Sequence, residues 1–533
     1  MNATQIQLSP PLSDDPVFLR EMVLSLQSEK QKLIISRDEL QQLADMLREQ
    51  VRLLRAKMFG PSSEKKAFDH PSLFNEAEQD ALTSTPDAGQ DGDVETVSVA
   101  GHIRNKKGRT QLSPDLPREE IIHDLPEEQK VCSLDGHHLV EIGREVSEQL
   151  DIVPTQVKVL RHVRIKYGCP HCHAGVIIAP APLRPIPKAL ASARILAFVA
   201  TSKYADALPL YRQEGIFKRY GLDLSRTTLA NWMIQSGKLV QPLINLIRDR
   251  MLEYGVIQMD ETTVQVLKEP ERLTKNKSFM WVQRGGPPTE RIILFDYDSS
   301  RGSAVPIGLL AGYHGWLQTD GYDGYLAIGA MPGVEHFGCW AHVRRKFVEA
   351  VIAAGKGGKL SNAQQGVGLI ASLYAIEKRI RGDSPQQRWE VRQREVPPIF
   401  QKIREWKDEL SLKVLPSSAT GRALAYLHGQ WDRLIRYIED GRLEIDNNGA
   451  ENAIRPFVVG RKNWLFSNSV RGAEASANLY SLIETAKANG LEPFAYLCHV
   501  FECIPVAQTV DDFEALLPWK FTKNMQPKVS PAG

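Results

Sequence analysis

The sequence predicts a multidomain chain: an N-terminal coiled coil, a small ribbon-like β module, a helical region of helix-turn-helix type, and an α/β core with an α-helical insertion. Three observations lead there. Leu19, Leu26, Leu33, Leu40, Leu47 and Leu54 recur every seven residues, the period of a helix that buries one stripe against another helix. Cys169 and Cys172 form a Cys-x-x-Cys pair behind an alternating apolar segment, the spacing of half a tetrahedral metal site. From Val256 onward, short apolar runs alternate with short helical segments, as in a sheet with helices packed on it.

Bulk properties bound the rest. At 533 residues the chain exceeds what one hydrophobic core fills, so several domains are expected. The net charge of +2 says nothing as a total, and only its distribution points to a polyanion. Met1 to Pro16 is polar and acidic, and no apolar run approaches membrane-spanning length. No membrane partner is expected, and the expected address is the cytoplasm, in association with the nucleoid.

Residues 15–60 are read as a leucine-zipper coiled coil that forms a homodimer. With the leucines at d, the a positions are Val23, Lys30, Arg37, Ala44, Val51 and Met58, so two cations lie in the seam and restrict register and oligomer state. Residues 61–118 are read as a disordered acidic linker followed by a basic arm. Phe68 to Ala100 holds eight acids and no Lys or Arg, and then Arg104, Lys106, Lys107 and Arg109 reverse the sign, suited to lying along phosphates or entering a minor groove.

Residues 119–185 are read as a zinc-ribbon-like β module. Cys132 is followed by Asp135, His137 and His138, so Cys132 and His137 are paired with Cys169 and Cys172 as Zn²⁺ ligands. Glu148–Pro154 and Gln156–Tyr167 alternate as two strands would. Residues 186–250 are read as a helical DNA-binding region. Ile195 to Gly221 is helical by composition, and a second helix begins under a Ser225 cap. A helix-turn-helix would turn Arg226, Thr227, Thr228 and Asn231 toward a groove.

Residues 251–345 form the first part of the core. Strands are predicted at Val256–Met259, Ser278–Gln283, Arg291–Tyr297, Trp316–Thr319 and Glu335–Cys339, with short helices near Ser303–Leu310 and before the fifth strand. The order β-β-β-α-β-α-β is that of a ribonuclease-H-like domain, in which the first and fourth strands are neighbours. Asp260 and Asp320 then point at one spot. Residues 346–441 show helical periodicity and read as an α-helical insertion. Residues 442–490 complete the core with a helix bearing Glu451, and residues 491–533 form a C-terminal segment.

Three carboxylates from separate elements suit a pair of hard divalent cations and phosphoryl transfer on nucleic acid. Asp260, Asp320 and Glu451 are therefore the candidate catalytic residues and Mg²⁺ ligands. Glu261, Asp323 and Asp446 compete with them, and Asp446 is also placed to cap the last helix. Arg344, Arg345, Asn448, Arg455, Arg461 and Lys462 surround the set in sequence and suit DNA phosphates.

At these residues the chain resembles the insertion-sequence-66 family of transposases almost from end to end. The resemblance rests on Met58-Phe59-Gly60-Pro61-Ser62-Ser63-Glu64-Lys65, Glu148-Gln149-Leu150-Asp151-Ile152-Val153-Pro154, Asp260-Glu261-Thr262 and Gln318-Thr319-Asp320-Gly321-Tyr322. It extends through Gly338-Cys339-Trp340-Ala341-His342, Asp446-Asn447-Asn448 with Glu451 and Arg455, and Tyr480 to Pro493. It implies that Asp260, Asp320 and Glu451 occupy the Asp-Asp-Glu positions and that Mg²⁺ or Mn²⁺ is the cofactor. It further implies binding to the terminal inverted repeats of a mobile element and to target DNA, and dependence on two small accessory proteins. The chain departs from the family in its zinc-binding region, where the first ligand pair is incomplete. Two other functions stay open: a metal-dependent nuclease or resolvase, which hydrolyses without joining, and a DNA-binding regulator with an inactive core.

Overall fold

A computed structural model of the chain describes residues 16–59, 96–99, 102–105, 157–168, 176–274, 276–355 and 361–521. Helix α1 (Pro16–Phe59) runs unbroken for 44 residues, as expected where no Pro or Gly follows its first residue. Its seven-residue leucines are exposed, Leu33 at 65% and Leu40 at 64%.

Residues 79–162 form a separate unit. Within it β1 (Thr96–Val99) and β2 (His102–Asn105) make an antiparallel hairpin closed between Val99 and His102. Within the expected linker, these eight described residues are thus paired as strands. Val97, Val99 and Ile103 supply the strand preference. Arg104 lies on β2, whereas Lys106, Lys107 and Arg109 fall outside the described residues.

Of the expected strand Gln156–Tyr167, the last two residues lie on a strand. Residues 157–165 form no ladder with another described segment, and β3 (Lys166–Gly168) pairs with β4 (Val176–Ile178); Glu148–Pro154, the partner expected from the sequence, lies outside the described residues. Alternation predicts an extended backbone but does not name its partner. This hairpin brackets Cys169 and Cys172 in sequence; they, Cys132 and His137 lie outside the described residues.

The helical region comprises α2 (Ala193–Tyr204), α3 (Leu210–Arg219), α4 (Arg226–Leu239) and α5 (Gln241–Leu252). The single run expected over Ile195–Gly221 is split before Pro209, which caps α3, because the residue before a proline is pushed out of helical geometry. The Ser225 side chain accepts the Thr228 N–H at 3.2 Å, so the expected cap is present.

Six strands build the core sheet: β5 (Val256–Lys268), β6 (Lys277–Gly285), β7 (Ile292–Asp298), β8 (Gly315–Gln318) and β9 (Val334–Phe337) form its main path, and a sixth, Ser467–Ser469, pairs in parallel with the far end of β5. Helices α6 (Ala304–Leu309) and α7 (Leu326–Gly329) connect β7 to β8 and β8 to β9. The sheet order is β7-β6-β5-β8-β9, antiparallel from β5 to β7 and parallel from β5 to β9.

The insertion consists of α8 (Trp340–Ala354), α9 (Asn362–Arg379), α10 (Pro385–Glu395), α11 (Pro397–Ser411) and α12 (Ala419–Leu434). It has its own core, in which Trp340, Phe347, Leu373 and Leu427 are buried. Ser361 and Ser384 start α9 and α10 through reciprocal bonds with Gln364 and Gln387, which satisfy otherwise orphaned N–H groups.

The chain returns to the sheet with α13 (Asn448–Trp464), β10 (Ser467–Ser469) and α14 (Val470–Ala488), then α15 (Pro493–Cys503) and α16 (Val510–Glu514). Strand β7 would be a bare edge, and α14 seals it. Ser481 Oγ accepts from Phe295 N at 2.7 Å, Thr485 Oγ1 from Ile293 N at 3.1 Å, and Asn489 Oδ1 from Arg291 N at 3.2 Å. Four helical residues rise about 6 Å and two strand residues about 6.6 Å, so the two rows stay in step. The motif from Tyr480 onward thus protects an edge that would otherwise invite pairing. Among the described residues, no helix is long and apolar enough to cross a membrane.

Candidate active site

The parallel ladder between β5 and β8 pairs Val256 with Trp316, Ile257 with Leu317 and Gln258 with Gln318. Asp260 stands two residues further along β5, and Asp320 stands in the loop two residues past the end of β8, close enough for the Asp320 charge to act on the Asp260 carboxyl. Asp260 Oδ1 accepts the Glu261 N–H at 2.8 Å, and Asp320 Oδ1 accepts the Tyr322 N–H at 2.9 Å. Glu451 lies in the first turn of α13, where the helix dipole favours an anion.

Polar side chains beneath the acids sew this third element to the first two. Gln258 Nε2 donates to Gln318 Oε1 at 2.7 Å and to the Asp446 carbonyl at 3.2 Å. Gln318 Nε2 donates to the Glu444 carbonyl at 2.9 Å, and Asn447 Nδ2 to the Met259 carbonyl at 2.8 Å. Arg284 bonds both Gln258 and Glu444. Buried networks of this kind hold a segment in one position because each lost partner leaves a desolvated group behind.

Gly449 is set into this network: a Cβ there would lie 2.2 Å from both Arg284 Nη1 and Gln258 Oε1. Gly449→Ala is expected to cost roughly 1–3 kcal/mol by forcing these side chains aside, measurable as a lower denaturant midpoint. An unchanged midpoint would mean that the network gives way freely.

Burial, reinforced by the neighbouring Glu261, Asp320 and Glu451 carboxylates, holds the Asp260 carboxyl well above its usual range. Burial also raises Glu261, against the opposing bonds from Tyr325 and Arg301. Glu451 is met by Arg345 Nη2 at 3.2 Å and approached by His342 Nε2 at 3.6 Å. Burial lowers the His342 pKa, which favours neutral imidazole. His342 Nδ1 and Arg345 Nε are buried without a hydrogen-bond partner among the described residues.

The donor set fits a hard divalent cation. It consists of oxygens, and the buried Asp260 carboxyl lies near the Asp320, Glu261 and Glu451 carboxylates, a concentration of negative charge that an ion would offset. As the side chains stand, no group of three metal-ligating residues is close enough to hold an ion among the described residues. Glu451 is turned toward Arg345 instead.

Asp446 accepts the backbone N–H of Asn448 at 3.2 Å and its amide at 2.9 Å, so it ties down the start of α13. Burial pushes its pKa up to about 7 from 3.8. Across that interval the folded state binds more protons than the unfolded state, so this group makes stability fall as pH rises from about 4 to 7. Asp446→Asn is expected to flatten that slope in thermal melts, and an unaltered slope would assign it to another group.

The remaining predicted residues fall into distinct surroundings. Arg226 and Asn231 are exposed on α4, and Thr228 is half-buried beside its cap. Arg344 is 6% exposed, so its guanidinium faces the protein interior and not a polyanion. Residue 344 lies on the inward stripe of α8, a consequence of helix phase that the basic cluster alone does not reveal. Asn448 is occupied with Asp446, while Arg455 is half-buried one turn beyond Glu451. Arg461 Nη1 donates to Thr262 Oγ1 at 3.1 Å and Thr263 Oγ1 at 3.2 Å, and Lys462 is exposed.

Sequence reasoning did not single out Gln258, Gln318, Arg284, Glu444, Arg301 or Tyr325. One signal was present: Gln258-Met259-Asp260 and Gln318-Thr319-Asp320 repeat a Gln-x-Asp spacing, which within a strand puts a glutamine on its aspartate's face.

Comparison with known proteins agrees with this architecture. Residues 188–475 match the model described as the transposase IS66 family, and residues 481–519 match the IS66 C-terminal element. Residues 129–173 match the zinc-finger binding domain of transposase IS66, and residues 46–121 match a model described as the transposase C of IS166 homeodomain. Two similar proteins come from Sinorhizobium fredii (strain NBRC 101917 / NGR234). Uncharacterized protein y4jD is 31% identical over 91% of this chain and 96% of its own length. Uncharacterized protein y4qI is 35% identical over 78% of each. With more than half of its length matched by the transposase model and the flanking segments matched by three further models of that family, the chain belongs to the IS66 family of transposases.

Proposed function

We propose that this protein binds the terminal inverted repeats of an insertion sequence, cleaves a DNA strand there and joins the freed 3′-hydroxyl to target DNA. The observation that supports the reading is the parallel pairing of β5 with β8, which Asp260 and Asp320 follow, with the segment leading into the Glu451 helix bonded to both strands. The sheet order supports a ribonuclease-H-like core. In this reading Asp260, Asp320 and Glu451 hold Mg²⁺ or Mn²⁺, which supplies Lewis acidity at the scissile phosphate.

The chain's own groups do the remaining work. Glu451 has to leave Arg345 to join the two aspartates, and that frees the guanidinium for a DNA phosphate. Arg455 extends the cationic edge one turn further along α13. Arg461, fixed on Thr262 and Thr263, keeps α13 against the outer half of β5. Cys132, His137, Cys169 and Cys172 are the proposed zinc ligands, a reading supported by the zinc-finger match. Arg104, Lys106, Lys107, Arg109, Arg226, Thr228 and Asn231 are the proposed DNA contacts outside the core.

The test is incubation of the full chain with Mg²⁺ and duplex DNA carrying an element end. Nicking at the end with a joined product is expected. Hydrolysis without joining would make the protein a nuclease or resolvase, and absence of metal-dependent cleavage would reject the catalytic reading.

A further inference from the structure

We propose that the exposed seam of α1 is a docking face for an acidic amphipathic helix of another protein, and not for a second copy of this chain. Two independent observations meet here: one face of α1 is already used by its own chain, and the charges of the other face oppose self-pairing.

The occupied face packs on the helical insertion. Glu49 Oε2 accepts the Ala419 N–H at 3.0 Å, at the start of α12. Arg52 Nη1 donates to the carbonyls of Ala353 and Ala354 at 3.2 and 3.0 Å, at the end of α8. An acid thus meets one helix N-terminus and a base meets another's C-terminus, both matched to the helix dipoles. Leu53 packs into the insertion core. Met46, Glu49, Leu53 and Ala56 are half-buried and form one stripe at helical spacing. In heptad terms these are c and f positions, so docking leaves the a and d seam open.

That open seam is apolar and cationic. A shallow groove lined by Leu26, Glu29, Lys30, Leu33, Ile34 and Arg37 runs along it, the form of a hole that receives a knob. Over residues 16–56 the a, e and g positions carry five cations, Arg20, Lys30, Arg37, Arg48 and Arg55, against one acid, Glu29. The b, c and f positions carry five acids, Glu21, Asp38, Glu39, Asp45 and Glu49, against Lys32 and Arg52. The signs are sorted by face.

The homodimer expected from the leucine repeat fails this charge pattern. Parallel pairing would set Lys30 against Lys30 and Arg37 against Arg37, with a single glutamate for the flanking arginines. Antiparallel pairing exchanges neighbours but keeps the cationic excess. Arg37 and Arg48 bond Asp38 and Asp45 on their own helix, but such exposed pairs are weak and exchange readily. A partner helix with leucine at d and glutamate at a, e and g satisfies the apolar ladder and every cation together. Duplex DNA would satisfy the cations and leave the leucines in water.

The experiment uses the full chain and two fluorescent synthetic helices of five heptads, each with leucine at d, one with glutamate and one with lysine at the flanking positions. The acidic helix is expected to bind about tenfold tighter or better, with the margin shrinking at high salt. The double variant Lys30→Glu, Arg37→Glu, at exposed positions that leave the fold intact by circular dichroism, should reverse the preference. Equal binding of the two helices, or binding of neither, overturns the proposal. So does a chain that sediments as a dimer and becomes monomeric with Leu33→Asp, and so does displacement of the acidic helix by duplex DNA.

Discussion

Replacing Asp260 or Asp320 with Asn, or Glu451 with Gln, is expected to lower DNA strand cleavage by at least about a thousandfold while leaving DNA affinity within about twofold. Each amide keeps shape and hydrogen bonding but removes an anionic ligand, and several kcal/mol of charge stabilisation correspond to a rate loss of that order. The three variants should differ in stability when divalent metal is absent. Asp260 is buried among three other carboxylates, so Asp260→Asn should melt no lower than the parent chain. Glu451→Gln gives up an ion pair with Arg345 and should melt slightly lower. A gel assay of end cleavage with parallel thermal melts separates lost chemistry from lost fold, and full cleavage by all three variants would remove the acids from the mechanism.

The second large effect is structural. Arg392 is fully buried and spends all its donors: two on Glu377 at 2.7 and 2.9 Å, and three on the carbonyls of Tyr437, Asp440 and Leu443 at 2.8 to 3.0 Å. Arg392→Leu strips a buried carboxylate of its two bonds from Arg392 and the Tyr437 and Asp440 carbonyls of their Arg392 bonds, while the Leu443 carbonyl keeps Arg388 at 3.1 Å, at an expected cost of roughly 3–5 kcal/mol. Arg388, 3.6 Å from Glu377, covers only part of the loss. Adding Glu377→Leu should recover much of the stability, since an apolar pair of similar volume often matches a buried ion pair. Urea denaturation of the single and double variants measures both. Because the freed carbonyls precede Glu444 and Asp446, the single variant should also lose cleavage activity before it unfolds.

The family and much of the element order were legible in the residues. The strands at Val256, Ser278, Arg291, Trp316 and Glu335 announce themselves through short apolar runs, and Ser225 announces the helix after it. These are local signals, carried by propensity, alternation and caps within about ten residues. The hairpin at Thr96–Asn105 was equally local but was hidden by an acidic, polar surrounding that reads as a tether.

What no local signal carries is the choice of partner. Gln258 and Gln318 are sixty residues apart, and Asn447 is 188 residues from Met259. Only the packed sheet brings them into one network. Arg344 and Arg345 are neighbours in one basic cluster, yet one is buried and the other meets Glu451, because adjacent helical residues point about 100° apart. The same holds for α1. The sequence alone supplied its leucine period and the sorting of charge between its faces. Which face is free was decided by the tertiary structure, where α8 and α12 present helix ends that Glu49 and Arg52 match and thereby leave the cationic leucine seam in water.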